Sequence, residues 1–439
     1  MKLRKYLFIL SLLFTNILAI GQTKNDSLLQ EATLPGIIDY TIKHLPAIQK
    51  SIIDEDITKI QVKSRIADWY PQLDFNYNVQ HNFQLQTSSF AGNIIQLGNR
   101  NTSLGQLALN QNVINPNLLL AAKTAKDTKI LSTQFTNNIK IDAVVNVSKA
   151  FYDVLLTQQQ IKVADEDIVR LERSLKDATA RYESGIVDKT DYKRATIALN
   201  NAKALKTSGE EILKAKLEYL KSIMGYPKDA DLDIKFDSMQ MESEVSFDIA
   251  QQINYSSRIE YQILQTQKLL KIENLKYAKY SFMPIVSGFG AYNMNFLNDD
   301  ALQLYSKNYP NSYAGLSVVI PLSQGGKRLM NIKQSKWQIK KANLDITEVQ
   351  NNINAQYAQA IAAYNSSIAN YQALKENLTM ANEVYTIIDL QYRSGIKTYL
   401  EVIVAQSDLR TSQINYYNAL YQVLSGKIDL QRSLGQIKF

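Results

Sequence analysis

Arg181-Tyr182-Glu183-Ser184-Gly185-Ile186 and Gln391-Tyr392-Arg393-Ser394-Gly395-Ile396 are two versions of one stretch, 210 positions apart. The register extends well beyond the glycines. Upstream, Ile161, Ala164, Ile168, Leu171, Leu175, Ala178 and Tyr182 step by 3 and 4, and Tyr371, Leu374, Leu378, Ala381, Tyr385, Ile388 and Tyr392 take the same steps. Apolar residues at that spacing hold one helical stripe against a neighbouring helix. Downstream, Asp191 matches Glu401, Ala195 matches Ala405, Leu199 matches Leu409 and Gly225 matches Gly435. The chain therefore carries one unit twice, each with a glycine turn between two coiled-coil helices. Glycine suits such a turn because it adopts positive φ without a Cβ penalty.

Upstream of each long helix the period changes from helical to two. Leu73, Phe75, Tyr77, Val79, His81, Phe83 and Leu85 alternate with Gln72, Asp74, Asn76, Asn78, Gln80, Asn82, Gln84 and Gln86. One face is apolar and the other amide-rich, over a length that crosses a membrane when tilted. Residues 87–101 read as a loop, and Ser103 to Asn112 as the returning strand. The second unit repeats the order. Val286, Tyr292, Met294 and Phe296 share a strand face opposite Ser287, Asn293 and Asn295. Residues 298–312 read as a loop, and Ala314, Leu316, Val318 and Ile320 line the return. Pro71, Pro116, Pro284 and Pro321 bound the strands.

The expected division is a secretory signal at 1–21, a first repeat at 22–227 and a connector at 228–246. A second repeat follows at 247–439. The hairpins fall at 71–113 and 284–321, and the tip turns at 181–191 and 391–401. The signal is read from Lys2, Arg4 and Lys5, the apolar run to Ile20 and the small residues Ala19 and Gly21. Each unit is expected to begin with a helical stretch, from Leu34 to Trp69 with Pro46 able to start its longer piece, and from Asp248 to Phe282, about half as long as its central helix. Two half-length helices in line can match one long helix. The fold class is mainly α with a membrane β-barrel portion: a long α-helical barrel carrying strands at one end and two glycine turns at the other.

The composition removes several function classes. There are no cysteines, so thiolate metal sites and Cys nucleophiles are excluded. His44 and His81 are the only histidines. Without the signal the net charge of +8 falls to +5, too small over this length to indicate nucleic acid. Gly325-Gly326-Lys327 superficially matches part of a phosphate loop, but Pro321 stands where the first glycine belongs. Asp54-Glu55-Asp56 reads as a solvated helix turn. No zinc-binding, nucleophile-elbow or triad pattern is found, so no enzyme, metal or cofactor is expected. Four strands cannot close a barrel, and open sheet edges are not tolerated in lipid. Copies from other chains must close it.

Taken together, the N-terminal signal, the duplicated helix–strand–strand–helix–helix unit, the Tyr-x-Ser-Gly-Ile turns and the Pro-bounded strands resemble the TolC-type outer-membrane efflux proteins. The resemblance spans the mature chain. It implies a homotrimer in the outer membrane with four strands per chain in a shared barrel and the helical barrel in the periplasm. It further implies a passive conduit that docks on a periplasmic adaptor and an inner-membrane pump. It places a periplasmic gate at Thr190, Asp191, Tyr392, Lys397 and Glu401, with Tyr392 and Lys397 bonding Asp191. The tip turns at Gly185, Ile186, Gly395 and Ile396 would meet the adaptor. Well-known members have arginine where this chain has Lys397 and a second acid where it has Val404, so a doubled acidic ring is not expected. The other reading is a periplasmic coiled-coil adaptor or scaffold without a pore. The lipid-type strands speak against it.

Overall fold

A computed structural model describes residue 29 and residues 32–90, 92–186, 188–234, 238–248 and 251–439. The expected signal at 1–21 lies outside the described residues.

Helix α1 (Leu34–His44) starts on the Thr33 cap, and α2 (Pro46–Ala67) starts with Pro46, whose missing N–H costs nothing in a first turn. The strands follow: β1 (Gln72–His81), β2 (Gln86–Phe90), β3 (Asn93–Leu97) and β4 (Asn101–Ile114). Helix α3 (Pro116–Glu183) has 68 residues, roughly 100 Å at 1.5 Å each. Helix α4 (Lys189–Met224) returns alongside it, and the short α5 (Ser238–Ser243) lies in the connector. The second unit runs α6 (Ile259–Tyr280), β5 (Ile285–Asn298), β6 (Asn311–Val319), α7 (Lys327–Arg393) and α8 (Tyr399–Leu434).

Three local expectations change. Residues 87–101 are not a plain loop. They hold the hairpin β2–β3, turned at Gly92 with φ 84°, and Ile94, Ile95 and Leu97 supply its β-forming residues. Strand β1 stops at His81 although the alternation runs on to Leu85, because its partner β4 begins at Asn101, opposite His81. The helix expected from Asp248 begins only at Ile259, after a 3-10 turn at Tyr255–Ser257.

The paired half-length helices do meet end to end. Gly225 closes α4 in the left-handed region (φ 70°), and a Cβ there would lie 2.7 Å from the His44 carbonyl oxygen, just before α2. Gly435 closes α8 (φ 71°) with the same approach, 2.6 Å, to the Ser257 carbonyl, just before α6. So α4 abuts α2 and α8 abuts α6. In this way 22- and 36-residue helices flank a 68-residue α3 in one unit and a 67-residue α7 in the other.

The main core sits around the middle of the long helices. Ile37, Phe151, Leu155, Leu220, Met224, Leu420 and Leu424 are fully buried there, each contributing roughly 1.5–3 kcal/mol. The connector belongs to this core. Leu232, Ile234 and Met241 are buried in it, and tyrosines fasten the remainder. Tyr152 donates to Glu244 at 2.6 Å, Tyr364 to the Val245 carbonyl at 2.7 Å and Tyr357 to the Gln251 carbonyl at 3.1 Å. Glu242 accepts from Tyr416 and, at 2.6 Å, from Lys375. The acid-rich run is thus a strap across α3, α7 and α8, not a loose linker.

We expect Gly225→Ala and Gly435→Ala each to pay the left-handed backbone cost of ~1–2 kcal/mol and a clash of ~1–3 kcal/mol. Gly185→Ala and Gly395→Ala should pay only the first, because nothing lies within 4 Å of a Cβ there. Thermal unfolding of the purified protein in detergent compares the four; equal losses at all four would remove the end-to-end contact from the account.

Candidate functional site

The far end of the helices is built from two matching turns. In the first, Ser184 N–H donates to Ala180, Gly185 N–H to Tyr182 and Ile186 N–H to Arg181; φ at Gly185 is 71°. In the second, Ser394 donates to Leu390, Gly395 to Tyr392 and Ile396 to Gln391, with φ 78° at Gly395. Both serine hydroxyls also bond back to the carbonyl four residues earlier. Left-handed closure of this kind satisfies the last carbonyls of a helix. It also throws the next side chain outward: Ile186 is 69% exposed and Ile396 71%.

The helices leaving the turns are capped differently. Asp188 caps α4 by accepting from the Thr190 N–H at 3.2 Å. At α8 the Glu401 carboxylate reaches back to the Thr398 N–H at 2.9 Å and takes Lys397 Nζ at 2.6 Å. The Lys397 bond, followed by the Thr398 contacts, lowers the Glu401 carboxyl to about 2.

Between the two turns lies a small apolar core of Ala178, Ala195, Tyr392, Tyr399 and Val402. Tyr392 is buried in it, with the Arg181 guanidinium 4.5 Å from its ring centre and the Tyr399 ring tilted against it, centroids 5.9 Å apart. Burial pushes the Tyr392 and Tyr399 hydroxyls up, and the nearby Asp191 charge pushes the same way. The structure therefore brings Lys397 onto Glu401 and Tyr392 and Tyr399 into the field of Asp191. Among the described residues no hydrogen bond joins Asp191 to Tyr392 or Lys397. Tyr182, the repeat counterpart of Tyr392, is exposed and stacks on Tyr192 at 6.3 Å. The duplication is thus broken where the two hairpins meet.

Sequence reasoning missed Arg181 and Tyr399. Arg181 occupies the place of Gln391 in the repeat, and that departure was the available signal. It missed Asp167 as well, a carboxylate only 2% exposed. Gln406 donates to it at 3.1 Å, and Arg410 and Arg170 lie at 3.5 and 3.6 Å, tying α3 to α8.

At the opposite end β1, β4, β5 and β6 form one antiparallel sheet, in the order β1-β4-β5-β6. Register places Phe75, Leu107 and Tyr292 in one row and Val286 opposite Val318 on the same face, which is exposed and apolar. The other face carries a ladder of amides. Asn76 donates to Gln106 at 3.4 Å, Gln106 to Asn293 at 2.9 Å and Asn293 to Asn311 at 2.7 Å, one residue from each strand in turn. The outer edges of β1 and β6 have no strand partner among the described residues. No described helix is long and apolar enough to cross a membrane.

The family model for outer membrane efflux proteins matches residues 37–226 and 273–436. The outer membrane protein TolC of Vibrio cholerae is 24% identical over 307 residues, covering 67% of this chain and 68% of that protein. TolC of Escherichia coli K12 is 20% identical over 410 residues, covering 89% of this chain and 80% of that protein. The crystal structure of the outer membrane protein VceC from Vibrio cholerae superimposes with a TM-score of 0.73 at 12% identity, covering 92% of this chain and 97% of that one. With its paired repeats, amphipathic sheet and matched segments in both halves, the chain belongs to the outer membrane efflux protein family, as a TolC-like outer-membrane channel.

Proposed function

We propose that three copies of this chain close a twelve-stranded barrel and that the helices continue it as a periplasmic tunnel. The tunnel passes cargo from an inner-membrane pump and a periplasmic adaptor to the exterior. The sheet order carries this reading. Unpaired β1 and β6 edges in lipid would each leave a row of backbone groups unsatisfied, at several kcal/mol apiece. Pairing β1 of one copy with β6 of the next removes both edges. A poreless adaptor has no use for a sheet with an exposed apolar face and an amide-lined one. In the same proposal residues 22–227 and 247–439 are the two repeats and 228–246 joins them.

The tip turns are proposed as the periplasmic entrance. Thr190 and Asp191 open α4 and Lys397 and Glu401 open α8 beside Tyr392, so their charges gather where the hairpins meet. Glu401 already holds Lys397, so a Lys397–Asp191 bond competes with the Lys397–Glu401 bond. Gly185 and Gly395 hold Ile186 and Ile396 outward, and such exposed apolar residues suit contact with the tip of an adaptor hairpin.

Three outcomes follow. In the barrel, Val79→Arg faces lipid and should cost ~2–4 kcal/mol, while Asn78→Arg faces the lumen and should cost far less. Equal trimer yield in the outer membrane for the two would sink the face assignment.

At the gate, Tyr392→Phe with Lys397→Ala should raise single-channel conductance in planar bilayers by a non-additive amount if, in the closed entrance, both hold Asp191. Glu401→Gln frees Lys397 and should lower it. Because the Glu401 carboxyl titrates at about 2, below its ordinary 4.5, its bond to Lys397 is fully present above pH 4.5 and fades only as pH falls through 2. Wild-type conductance should therefore show no Glu401 step above pH 4.5, and unchanged conductance in the double variant would leave Tyr392 as a packing residue and Lys397 as a helix-end charge with no part in a gate.

At the turns, Ile186→Asp with Ile396→Asp should leave trimers intact and abolish export. A cysteine at Ser184 in a chain without native cysteine reports adaptor crosslinking. Full crosslinking and full export in the double-aspartate protein would move docking elsewhere.

A further inference from the structure

The loop between β5 and β6, residues 299–310, folds back over one face of the sheet. Its Tyr305 hydroxyl lies 2.5 Å from the Tyr77 hydroxyl and donates to Ser103 Oγ at 3.4 Å. The Tyr305 ring packs edge-on against Phe296, centroids 5.1 Å apart. Register puts all three partners on the exposed apolar face. Val79, Ser103 and Phe296 form one row, and Tyr77, Gly105 and Met294 form the next. The loop joins β5 to β6, yet Tyr305 reaches back across β4 to β1. Burial on that face of β4 records the cover: Asn101 is 6% and Ser103 3% exposed, against 40% at Leu107 and 44% at Leu109. At the start of the loop Asp299 Oδ1 accepts from the Arg100 N–H at 2.8 Å, and the Asp299 carbonyl accepts from Asn101 Nδ2 at 2.9 Å.

The loop also satisfies much of its own backbone, which irregular chain beside lipid must do. Asp300 caps a 3-10 turn at Ala301–Gln303 by accepting from the Leu302 N–H at 3.0 Å. Asn298 accepts from the Asp300 N–H at 3.0 Å and donates to the Gln303 carbonyl at 3.1 Å. Leu304, just after the turn, is 5% exposed. Leu302 lies two residues earlier, about 240° away round a 3-10 turn, and is 96% exposed. In the row where the loop begins, Phe83 is 95% exposed and stands edge-on to His81 at the end of β1. The apolar face of β5 runs from Val286 to Phe296. Ten residue steps of ~3.4 Å, tilted by ~40°, rise about 26 Å, close to the ~25 Å apolar band of an outer-membrane barrel. The loop therefore covers the outer boundary of that band, where aromatic girdles lie.

We propose that residues 299–310 are a membrane anchor. Tyr305 straps the loop to the outside of the sheet at the headgroup level of the outer leaflet, and Leu302 inserts among the acyl chains there. The inference rests on the proposed membrane placement of the sheet. Lipid is the occupant because the loop continues the surface that faces lipid, bonded to residues of that face. A leucine held out beside such a surface gains free energy when hydrocarbon covers it. The loop backbone stays at the interface, where water meets whatever carbonyls and amides its own bonds leave over.

The test places single cysteines in the full chain, which has none of its own. Leu302→Cys is the probe, Leu316→Cys on the apolar face of β6 the lipid reference, and Ser184→Cys at the tip turn the water reference. Each trimer carries a thiol-linked fluorophore and is reconstituted in phosphatidylcholine vesicles. Quenching is read with phosphatidylcholine brominated high on its acyl chains, and separately with iodide on both sides. The label at 302 should be quenched by the brominated lipid, as at 316, and spared by iodide, which should quench at 184. Adding Tyr305→Phe removes the hydroxyl bonds and keeps the ring, and the 302 label should then lose bromolipid quenching and gain iodide quenching. Iodide quenching at 302 in the otherwise native loop, with bromolipid quenching at 316, would overturn the anchor and leave the barrel in the membrane. Quenching at 302 by neither agent would also overturn it, assigning Leu302 to a neighbouring copy. Unchanged quenching after Tyr305→Phe would overturn the strap; should that variant fail to assemble, the 302 label alone decides the anchor. Absence of bromolipid quenching at 316 would instead refute the membrane placement of the sheet, and the anchor with it.

Discussion

The architecture depends on two places where one backbone comes close to another, Gly225 under His44 and Gly435 under Ser257. A long helix can bury its stripe along its whole length only if something equally long lies beside it. Among the described residues no other single helix in the same unit is that long, so two must be placed in line. The join admits no Cβ, and it also needs a left-handed residue to end the upper helix. Glycine alone meets both demands cheaply. From these joins follow the parallel run of helices, the placement of the strands at one end and the turns at the other, and the wrapping of the connector around the middle.

The middle itself is held by an unusual share of phenolic hydroxyls. Tyr152, Tyr364 and Tyr416 each anchor one end of their side chain in apolar packing and hand the hydroxyl to the connector strap, and Tyr357 does the same to Gln251 just beyond it. Tyrosine can do this because its ring is as apolar as a core residue and its hydroxyl needs a partner when buried. Burial pushes the Tyr152 and Tyr416 hydroxyls far above their usual range, and the adjoining Glu244 and Glu242 add to it. They therefore stay protonated donors at any pH a cell sees. The tyrosine-rich composition, unexplained by periodicity alone, finds its role here.

Much of this was legible from residue order. Period two at Leu73–Val79 and at Tyr292–Phe296, Pro116 at a helix start, and Gly185 and Gly395 at turns are local signals, and local structure obeys them. The alternation past His81 misled, because a strand ends where its partner ends, and that partner lies twenty residues away. The delayed start at Ile259 depends on Ser257 docking on Gly435, a contact across most of a repeat. The tip was legible only in part. The Gly-Ile turns could be read, but Lys397 turning to Glu401 is a capping choice of α8, and Tyr392 is buried while Tyr182 stays exposed because the contacts between the hairpins fall on one copy only. A duplicated sequence does not state how its two copies divide the inside from the outside.

The amide ladder from Asn76 through Gln106 and Asn293 to Asn311 has a consequence for what can pass it. A carboxamide carries an acceptor at one end and donors at the other, and a half-turn of its terminal torsion exchanges them. A wall of carboxylates or guanidinium groups cannot do this; it fixes one sign and repels the other. Repeated around a closed barrel, the amides would form a dielectric lining that turns its oxygens to a cation and its hydrogens to an anion at similar cost. Selection by charge then has to be made elsewhere along the path, and the exit becomes a place that admits whatever the entrance has already let through.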